Sequence, residues 1–312
     1  MLIAESKLTD RQNWLNNRKK LEALRFNQLS EYEKEKGLVT WIDYLLPVAS
    51  LGLKASGLYP IGKRNAQKIQ LHEFELYFDQ LPAAFDGYSI LHLTDLHLDC
   101  LPGIEEAISN KLQDLHYHSC FITGDYRKRL MGDYDDKVLS PLRDIIACIQ
   151  AEDGIFATLG NHDTHQVVEP LENMGVRVLT NESVQLERGQ DSILVTGLDD
   201  PHFYFTHHAK TALNTKQDSF KIALVHSPEM YQEVADQNYA LYLCGHTHAG
   251  QICLPGGIPL IKHLKKGKKL YKGLWNIGKM QGYTSPGCGV SGLPVRFNSQ
   301  GEITLFTLRK KA

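Results

Sequence analysis

The chain lacks most of the features that would assign it quickly. Its six cysteines, Cys100, Cys120, Cys148, Cys244, Cys253 and Cys288, form no C-x-x-C pair and lie mostly inside apolar runs. That argues against a disulfide-stapled scaffold and for reduced, buried thiols in a reducing cytoplasm. An excess of one charge is missing too, since 34 Lys and Arg against 36 Asp and Glu leave a net charge of -2. No global field gathers nucleic acid or acidic membrane, so anion recognition must come from local patches. The opening MLIAESKLTDRQ has no basic stretch followed by an apolar core and a small-residue cleavage site. Export by an ordinary leader is therefore not expected. A clean spanning run is absent as well: LVTWIDYLLPVASLGLKASGLY, at 38–59, is broken by Asp43, Pro47, Gly52 and Lys54. With its Trp and Tyr residues this segment suits either packing on a domain or lying flat on a bilayer surface.

What is present is a chain of 312 residues, 42% apolar, able to bury a sizeable core. Thr9-Asp10-Arg11-Gln12 has the form of a capping box opening a charged helix that ends near Gly37. Residues 1–65 read as a helical extension, and 66–312 as the main domain. Alternation of Phe74, Leu76 and Phe78 with Glu73, Glu75 and Tyr77 suits an outer strand at 69–78. The runs SILHL (89–93), SCFIT (119–123), IFATL (155–159), VRVL (176–179), SILVT (192–196), KIALVH (221–226) and ALYLC (240–244) read as buried strands. Helical patterns at 103–115, 139–151, 165–174 and 228–236 lie between several of them. This alternation predicts an α/β architecture with helices covering strands. The region after Gly250 is rich in glycine and is expected to complete a second, more antiparallel sheet.

The chemistry is concentrated where those strands end. Asp95-Leu96-His97, Gly124-Asp125, Gly160-Asn161-His162-Asp163, His226 and Gly245-His246-Thr247-His248 supply carboxylate, amide and imidazole donors at five strand ends. Asp95, His97, Asp125, Asn161, His226, His246 and His248 are enough donors for two divalent ions. The donor types suit Mn²⁺ first, or Fe²⁺ or Zn²⁺. His162, directly after the amide, is placed to donate a proton to a leaving oxygen or to stabilise the transition state. Asp163 is placed to orient a histidine, and Gly160 and Gly245 to allow sharp turns.

These motifs, D-x-H, G-D, G-N-H-D, H and G-H-x-H across 88–250, resemble those of the calcineurin-like metallophosphoesterases. LHLTDLHLD, LVHSPE, CGHTHAGQ and GYTSPGCGVSGLPVRF are most similar to a bacterial branch with YkuE-like phosphoesterases and one type of UDP-2,3-diacylglucosamine pyrophosphatase. The resemblance implies a four-layer αββα sandwich with a dinuclear site at one edge of the sheets. It also implies one ion on Asp95, His97 and His248, a second on Asn161, His226 and His246, and Asp125 bridging both. Purple acid phosphatases, a related group, place tyrosine where this chain has Lys128, and protein Ser/Thr phosphatases carry G-D-x-V-D-R-G where it has GDYRKRL. A tyrosinate-ferric centre and a phosphoprotein substrate are thus disfavoured.

Arg127 and Arg129, just past one ligand motif, are candidates to clamp a phosphate, with Asp200 as a further substrate contact. His207 and His208 are candidates to line the cleft. Lysines at 262–269, interleaved with Leu264, Leu270, Tyr271, Leu274 and Trp275, suit an interfacial lid over an amphipathic substrate. The expected activity is hydrolysis of a phosphoester or pyrophosphate in a phosphorylated small molecule, lipid-linked or nucleotide-linked, such as UDP-2,3-diacylglucosamine. Peripheral contact with the inner face of the membrane would run through 38–59 and 262–275. The alternatives are a nucleic-acid or cyclic-nucleotide phosphodiesterase and a metal-binding scaffold without turnover. No specific protein partner is implied.

Overall fold

The structure, a computed structural model, describes residues 2–29, 45–215 and 219–311. Its central strands arise where short apolar runs are buried on both faces. In β2 (Ser89–Leu93) every residue from Ile90 to Leu93 is buried. Such strands need layers on both sides, and the chain supplies them as two facing sheets with helices outside.

The first sheet contains β1 (Ile69–Phe78), β2, β3 (Ser119–Ile122), β4 (Ile155–Ala157), β5 (Val176–Val178) and β14 (Gly301–Lys310), in the order β1-β14-β2-β3-β4-β5. The second contains β6 (Glu182–Arg188), β7 (Asp191–Gly197), β8 (Phe220–Leu224), β9 (Leu241–Cys244), β12 (Gly273–Ile277) and β13 (Met280–Thr284), in the order β12-β13-β9-β8-β7-β6. A short hairpin pairs β10 (Cys253–Leu254) with β11 (Ile258–Pro259). Between the sheets lies an aromatic-rich core of Phe78, Phe121, Phe156, Phe220, Tyr283 and Phe306. Phe78 meets Phe220 edge to face at 4.9 Å across the two sheets, a pairing that contributes about 0.5–1.5 kcal/mol beyond its buried area. Outside the first sheet pack α4 (Ile104–Leu112), α5 (Asp136–Ala147) and α6 (Val168–Asn173). Outside the second pack α7 (His207–Leu213) and α8 (Tyr231–Ala235). The result is the four-layer αββα sandwich expected from the motifs.

The strands read from sequence all form, with boundaries shifted by a few residues, and β1 is an edge strand as its alternation predicted. Three details differ. The second sheet is parallel through β7, β8, β9 and β13, with antiparallel pairs only at its two edges. Only β12 and β13 of the C-terminal region join it, because β14 returns to the first sheet between β1 and β2. The strand β6, whose charged residues disguise its buried Val184 and Leu186, escaped the apolar-run reading.

At the N-terminus α1 (Leu2–Asn27) is already helical at Leu2, so the capping-box sequence at Thr9 lies inside it rather than at its start. Part of the 38–59 segment lies outside the described residues. Its remainder forms α2 (Leu46–Ala55), which buries no residue, followed by α3 (Tyr59–Ala66). No helix among the described residues is long and apolar enough to cross a membrane. All six cysteines are free thiols.

Candidate metal centre

Parallel strands deliver their C-terminal ends to one edge of a sheet, and here the loops leaving β2, β3, β4, β8 and β9 carry Asp95, Asp125, Asn161, His226 and His246 to a common cleft. The backbone bends sharply to do so. Asp95 (φ 53°), His97 (φ 42°), Asp125 (φ 59°), His246 (φ 73°) and His248 (φ 50°) all adopt the left-handed region. Such conformations are costly for residues other than glycine and persist where the surroundings hold them, often at functional sites.

The side chains converge tightly. His97 Nε2 lies 3.2 Å from His248 Nε2, and Asp95 Oδ1 is 3.5 Å from the same His248 atom. Asp125 Oδ2 lies 3.5 Å from His97 Nε2 and 3.2 Å from His226 Nε2. Asn161 Oδ1 is 3.0 Å from His226 Nε2 and 2.8 Å from His246 Nδ1. Asp95, His97 and His248 form one group able to hold a metal ion, and Asp95, Asp125 and His226 form another, each with its donor atoms within 4.8 Å of one another. All seven side chains nominated from sequence therefore meet.

The residues fit a pair of divalent cations. Asp95 Oδ1, which lies 3.5 Å from His248 Nε2, is buried without a hydrogen-bond partner among the described residues, an arrangement that is expensive unless a ligand completes it. Burial pushes His248 and His246 well below the usual imidazole range, which keeps them neutral and suited to coordination. Burial also opposes charge on His226, yet Asp125, to which it hydrogen-bonds, with Asp95 and Asp200, pushes it up to about 10. The pocket thus draws positive charge. Two rings are anchored through one nitrogen: His226 Nδ1–H donates to the Thr123 carbonyl (2.7 Å) and His246 Nε2–H to the His263 carbonyl (3.1 Å). Each leaves its other nitrogen aimed at the Asn161 amide, as ligand histidines commonly are.

Asp163 and the two motif glycines act differently from the sequence reading. Among the described residues Asp163 orients no histidine. Its Oδ2 accepts from the Asp125 and Gly160 amides at 2.7 and 2.8 Å, and its Oδ1 accepts from the Tyr126 amide and the Tyr134 hydroxyl. Gly160 and Gly245 make no left-handed turn; they permit close approach. A Cβ on Gly160 would sit 2.1 Å from Asp125 Oδ1, and one on Gly245 2.1 Å from Asp95 Oδ2. Gly245→Ala is accordingly expected to displace Asp95 and weaken Mn²⁺ binding by about 10–100-fold. Titration calorimetry measures this directly, and a wild-type isotherm would contradict it.

His162 sits beside the cluster, its ring centre 5.4 Å from that of His97. Its amide donates to Asp125 Oδ1 (2.8 Å) and its Nδ1–H to the Lys128 carbonyl (2.6 Å), leaving Nε2 as the unbonded ring nitrogen. Burial pushes its imidazole down to about 3, outweighing the pull of Asp125.

Arg127 turns away from the clamp role. It is fully buried, stacks on Tyr134 at 3.8 Å, and donates to the carbonyls of Leu130, Gly132 and Asp133, so its guanidinium folds the 127–134 loop. Arg129 is half-exposed and pairs with Asp135 at 3.1 Å. Asp200 is buried and caps the His202 and Phe203 amides. His207 and His208 are exposed at the start of α7, and His208 borders a separate groove beneath α1. In the lysine segment Leu264, Leu270 and Trp275 are buried, and of the apolar and aromatic residues expected in the lid only Leu274 is exposed. The lid reading fails because those apolar side chains are used to anchor the loop.

Sequence reading missed several neighbours. His202 stands 4.6 Å from the His246 ring and pairs with Glu229, whose carboxylate also accepts the Lys265 and Lys266 amides. Arg296 is fully buried behind His248, and Arg18 and Arg25 reach the cluster from α1. The D-D at 199–200 preceding His202 was the one signal that could have drawn notice to this side.

Comparison with known proteins agrees with the geometry. The chain is 28% identical to the uncharacterized metallophosphoesterase YkoQ of Bacillus subtilis over 254 residues, covering 77% of this chain and 91% of that one. It is 28% identical to the uncharacterized metallophosphoesterase YkuE of the same organism over 275 residues, covering 84% and 93%. The phosphodiesterase YaeI of Escherichia coli is 29% identical over 238 residues, covering 71% and 82%. The calcineurin-like phosphoesterase profile matches residues 88–250, over half of the chain and spanning every motif that builds the cleft. With its donors gathered as that chemistry requires, the chain belongs to the calcineurin-like phosphoesterase family, metal-dependent hydrolases of phosphoester bonds.

Proposed function

We propose that the enzyme cleaves a phosphoester or phosphoanhydride whose phosphate carries an apolar tail, UDP-2,3-diacylglucosamine being one such compound. The observation supporting hydrolysis is the sharing of Asp125 Oδ2 between His97 and His226, which makes it the natural bridge between two donor groups. In this reading Asp95, His97 and His248 hold one ion, Asn161, His226 and His246 the other, with Mn²⁺ the leading candidate. Bound by these residues, two such ions would make a water more acidic and offset charge on the phosphoryl oxygens. His162, tethered through Nδ1, has Nε2 as its second ring nitrogen, and it would donate a proton to the leaving oxygen only as the imidazolium that the negative charge of a bound phosphate favours. Asp163 keeps the Asp125 and Gly160 amides fixed, so the two motif loops hold their spacing as charge develops.

An apolar cavity supports the tail. A space of about 220 Å³ adjoins His248 and is lined by Leu45, Leu46, Ala49, Ile252, Leu260 and Ile261. Val48, Leu51, Ile258 and Leu260, each at least 59% exposed, belong to the same elements, α2 and the segment around β11. The lysines of 262–269 follow directly, so an anionic bilayer is the fitting source of substrate.

A substrate panel tests this. With Mn²⁺ the protein should hydrolyse UDP-2,3-diacylglucosamine at least about tenfold better in kcat/KM than its deacylated counterpart. Ala49→Trp, which fills the cavity, should abolish that preference while leaving turnover of bis(4-nitrophenyl) phosphate. Equal rates on acylated and deacylated compounds, or higher rates on single-stranded DNA or RNA, would refute the tail.

A further inference from the structure

Helix α1 buries a charged face. Trp14, Arg18, Glu22 and Arg25 follow one another at intervals of four, four and three residues, which puts them on one side of the helix, and all four are buried. Taking guanidinium groups out of water costs several kcal/mol unless their partners are well placed. Their partners lie in two loops, 161–165 and 199–204. Arg18 donates to the Asp163 carbonyl (2.6 Å), pairs with Asp199 and Glu22, and stacks on Tyr204 with its guanidinium 3.3 Å from the ring centre. Glu22 accepts from the His165 amide (2.7 Å) and meets its ring Nδ1 at 2.6 Å. Arg25 donates to the Asn161 carbonyl (2.5 Å) and the Tyr204 hydroxyl (2.8 Å), and stacks on Phe203 at 3.7 Å.

In the first loop the contacts fall on alternate residues, Asn161, Asp163 and His165. The opposite side of this loop is held by Asp125, whose Oδ1 accepts the His162 amide. We propose that Arg25, backed by Arg18 and Glu22, is a positioning residue for the reaction: α1 clamps 161–165 so that the Asn161 amide and the His162 imidazole are set for the phosphate. The proposal rests on the roles given above to Asn161 and His162. It makes α1 part of the catalytic unit.

Arg25→Ala and Arg25→Lys are compared with Arg11→Ala, a control that removes α1's bonds to Glu172, Glu182 and the Val178 carbonyl without touching the loop. Turnover of bis(4-nitrophenyl) phosphate with Mn²⁺, Mn²⁺ titration calorimetry and thermal melting are read for each. Arg25→Ala is expected to lower kcat by about 10–100-fold, change KM less than about threefold and weaken one Mn²⁺ site, all read at a temperature where its melting curve shows it fully folded. Arg25→Lys, which keeps the charge and one donor, should recover part of kcat. A kcat and Mn²⁺ isotherm for Arg25→Ala equal to those of Arg11→Ala would overturn the proposal. Should the alanine variant not fold, Arg25→Lys decides: lowered kcat at unchanged KM supports the clamp, and wild-type kcat overturns it. A wild-type protein that neither binds Mn²⁺ nor cleaves any phosphoester overturns the proposed function itself, a different result from an active wild type with an equally active Arg25→Ala.

Discussion

Asp125→Ala is expected to reduce phosphoester turnover by on the order of 10³-fold and to leave the purified protein with at most one Mn²⁺ per chain. The side chain is the only one whose carboxylate oxygen lies within 3.5 Å of both His97 and His226 among the described ion pairs. Its other oxygen takes the His162 amide. Removing it takes a donor from both groups, a charge that offsets two cations, and an anchor of the 160–163 loop. Asp125→Asn separates these effects, since it keeps an oxygen for the His162 amide and loses the charge. If charge dominates, Asn is nearly as inactive as Ala; elemental analysis beside the kinetics tells loss of metal from misplacement of His162. Turnover within tenfold of wild type in the alanine variant would refute the assigned centre.

The donor set was legible in sequence because chemistry and strand endings coincide. Asp95, Asp125, Asn161 and His246 each follow an apolar run within a few residues, and the parallel sheets gather such positions without further instruction. The layer order was legible for the same reason, from alternating apolar runs and helical patterns. The supporting contacts were not, because they join residues remote in the chain. Arg25 and Asn161 are separated by 136 positions, Arg18 and Asp163 by 145. A helix face built from Trp14, Arg18, Glu22 and Arg25 has the right spacing, yet a hydrophobic-periodicity reading passes over it because three of the four are charged. Arg127 misled for the complementary reason: a basic residue beside a ligand motif suggests a phosphate clamp, while the loop carbonyls of 130–133 use its donors for folding. Gly160 and Gly245 were rightly singled out, but the reason lies in the carboxylates of Asp125 and Asp95, which only the fold brings against them.

Arg296→Met is expected to destabilise the protein by about 3–5 kcal/mol, a large share of the ~5–15 kcal/mol that holds a domain folded. Arg296 is fully buried and donates to the carbonyls of Pro286 (2.8 Å), Gly287 (3.1 Å), Gly289 (2.6 Å), Gln300 (3.3 Å) and His248 (3.4 Å). Burial pulls its guanidinium down to about 10, so it stays cationic at neutral pH. Methionine fills much of the space and satisfies none of those oxygens; Gly287 O and His248 O keep the Glu302 and Gln251 amides, while Pro286 O, Gly289 O and Gln300 O each then bear a desolvation penalty of about 1–3 kcal/mol less whatever relaxation recovers. The same carbonyls belong to the segment that braces Asp95: the Cys288 amide donates to Thr94 O and the Gly289 amide to Asp95 O. Loss of Arg296 should therefore weaken Mn²⁺ binding along with stability, although the residue touches no proposed ligand side chain. Arg296→Lys, with three donors on one nitrogen, should recover less than half of the lost stability because a single ammonium cannot reach carbonyls on two sides. Urea unfolding of the metal-free proteins gives the stability differences, and a loss under about 1 kcal/mol for Arg296→Met would show that the C-terminal segment holds its course without this residue.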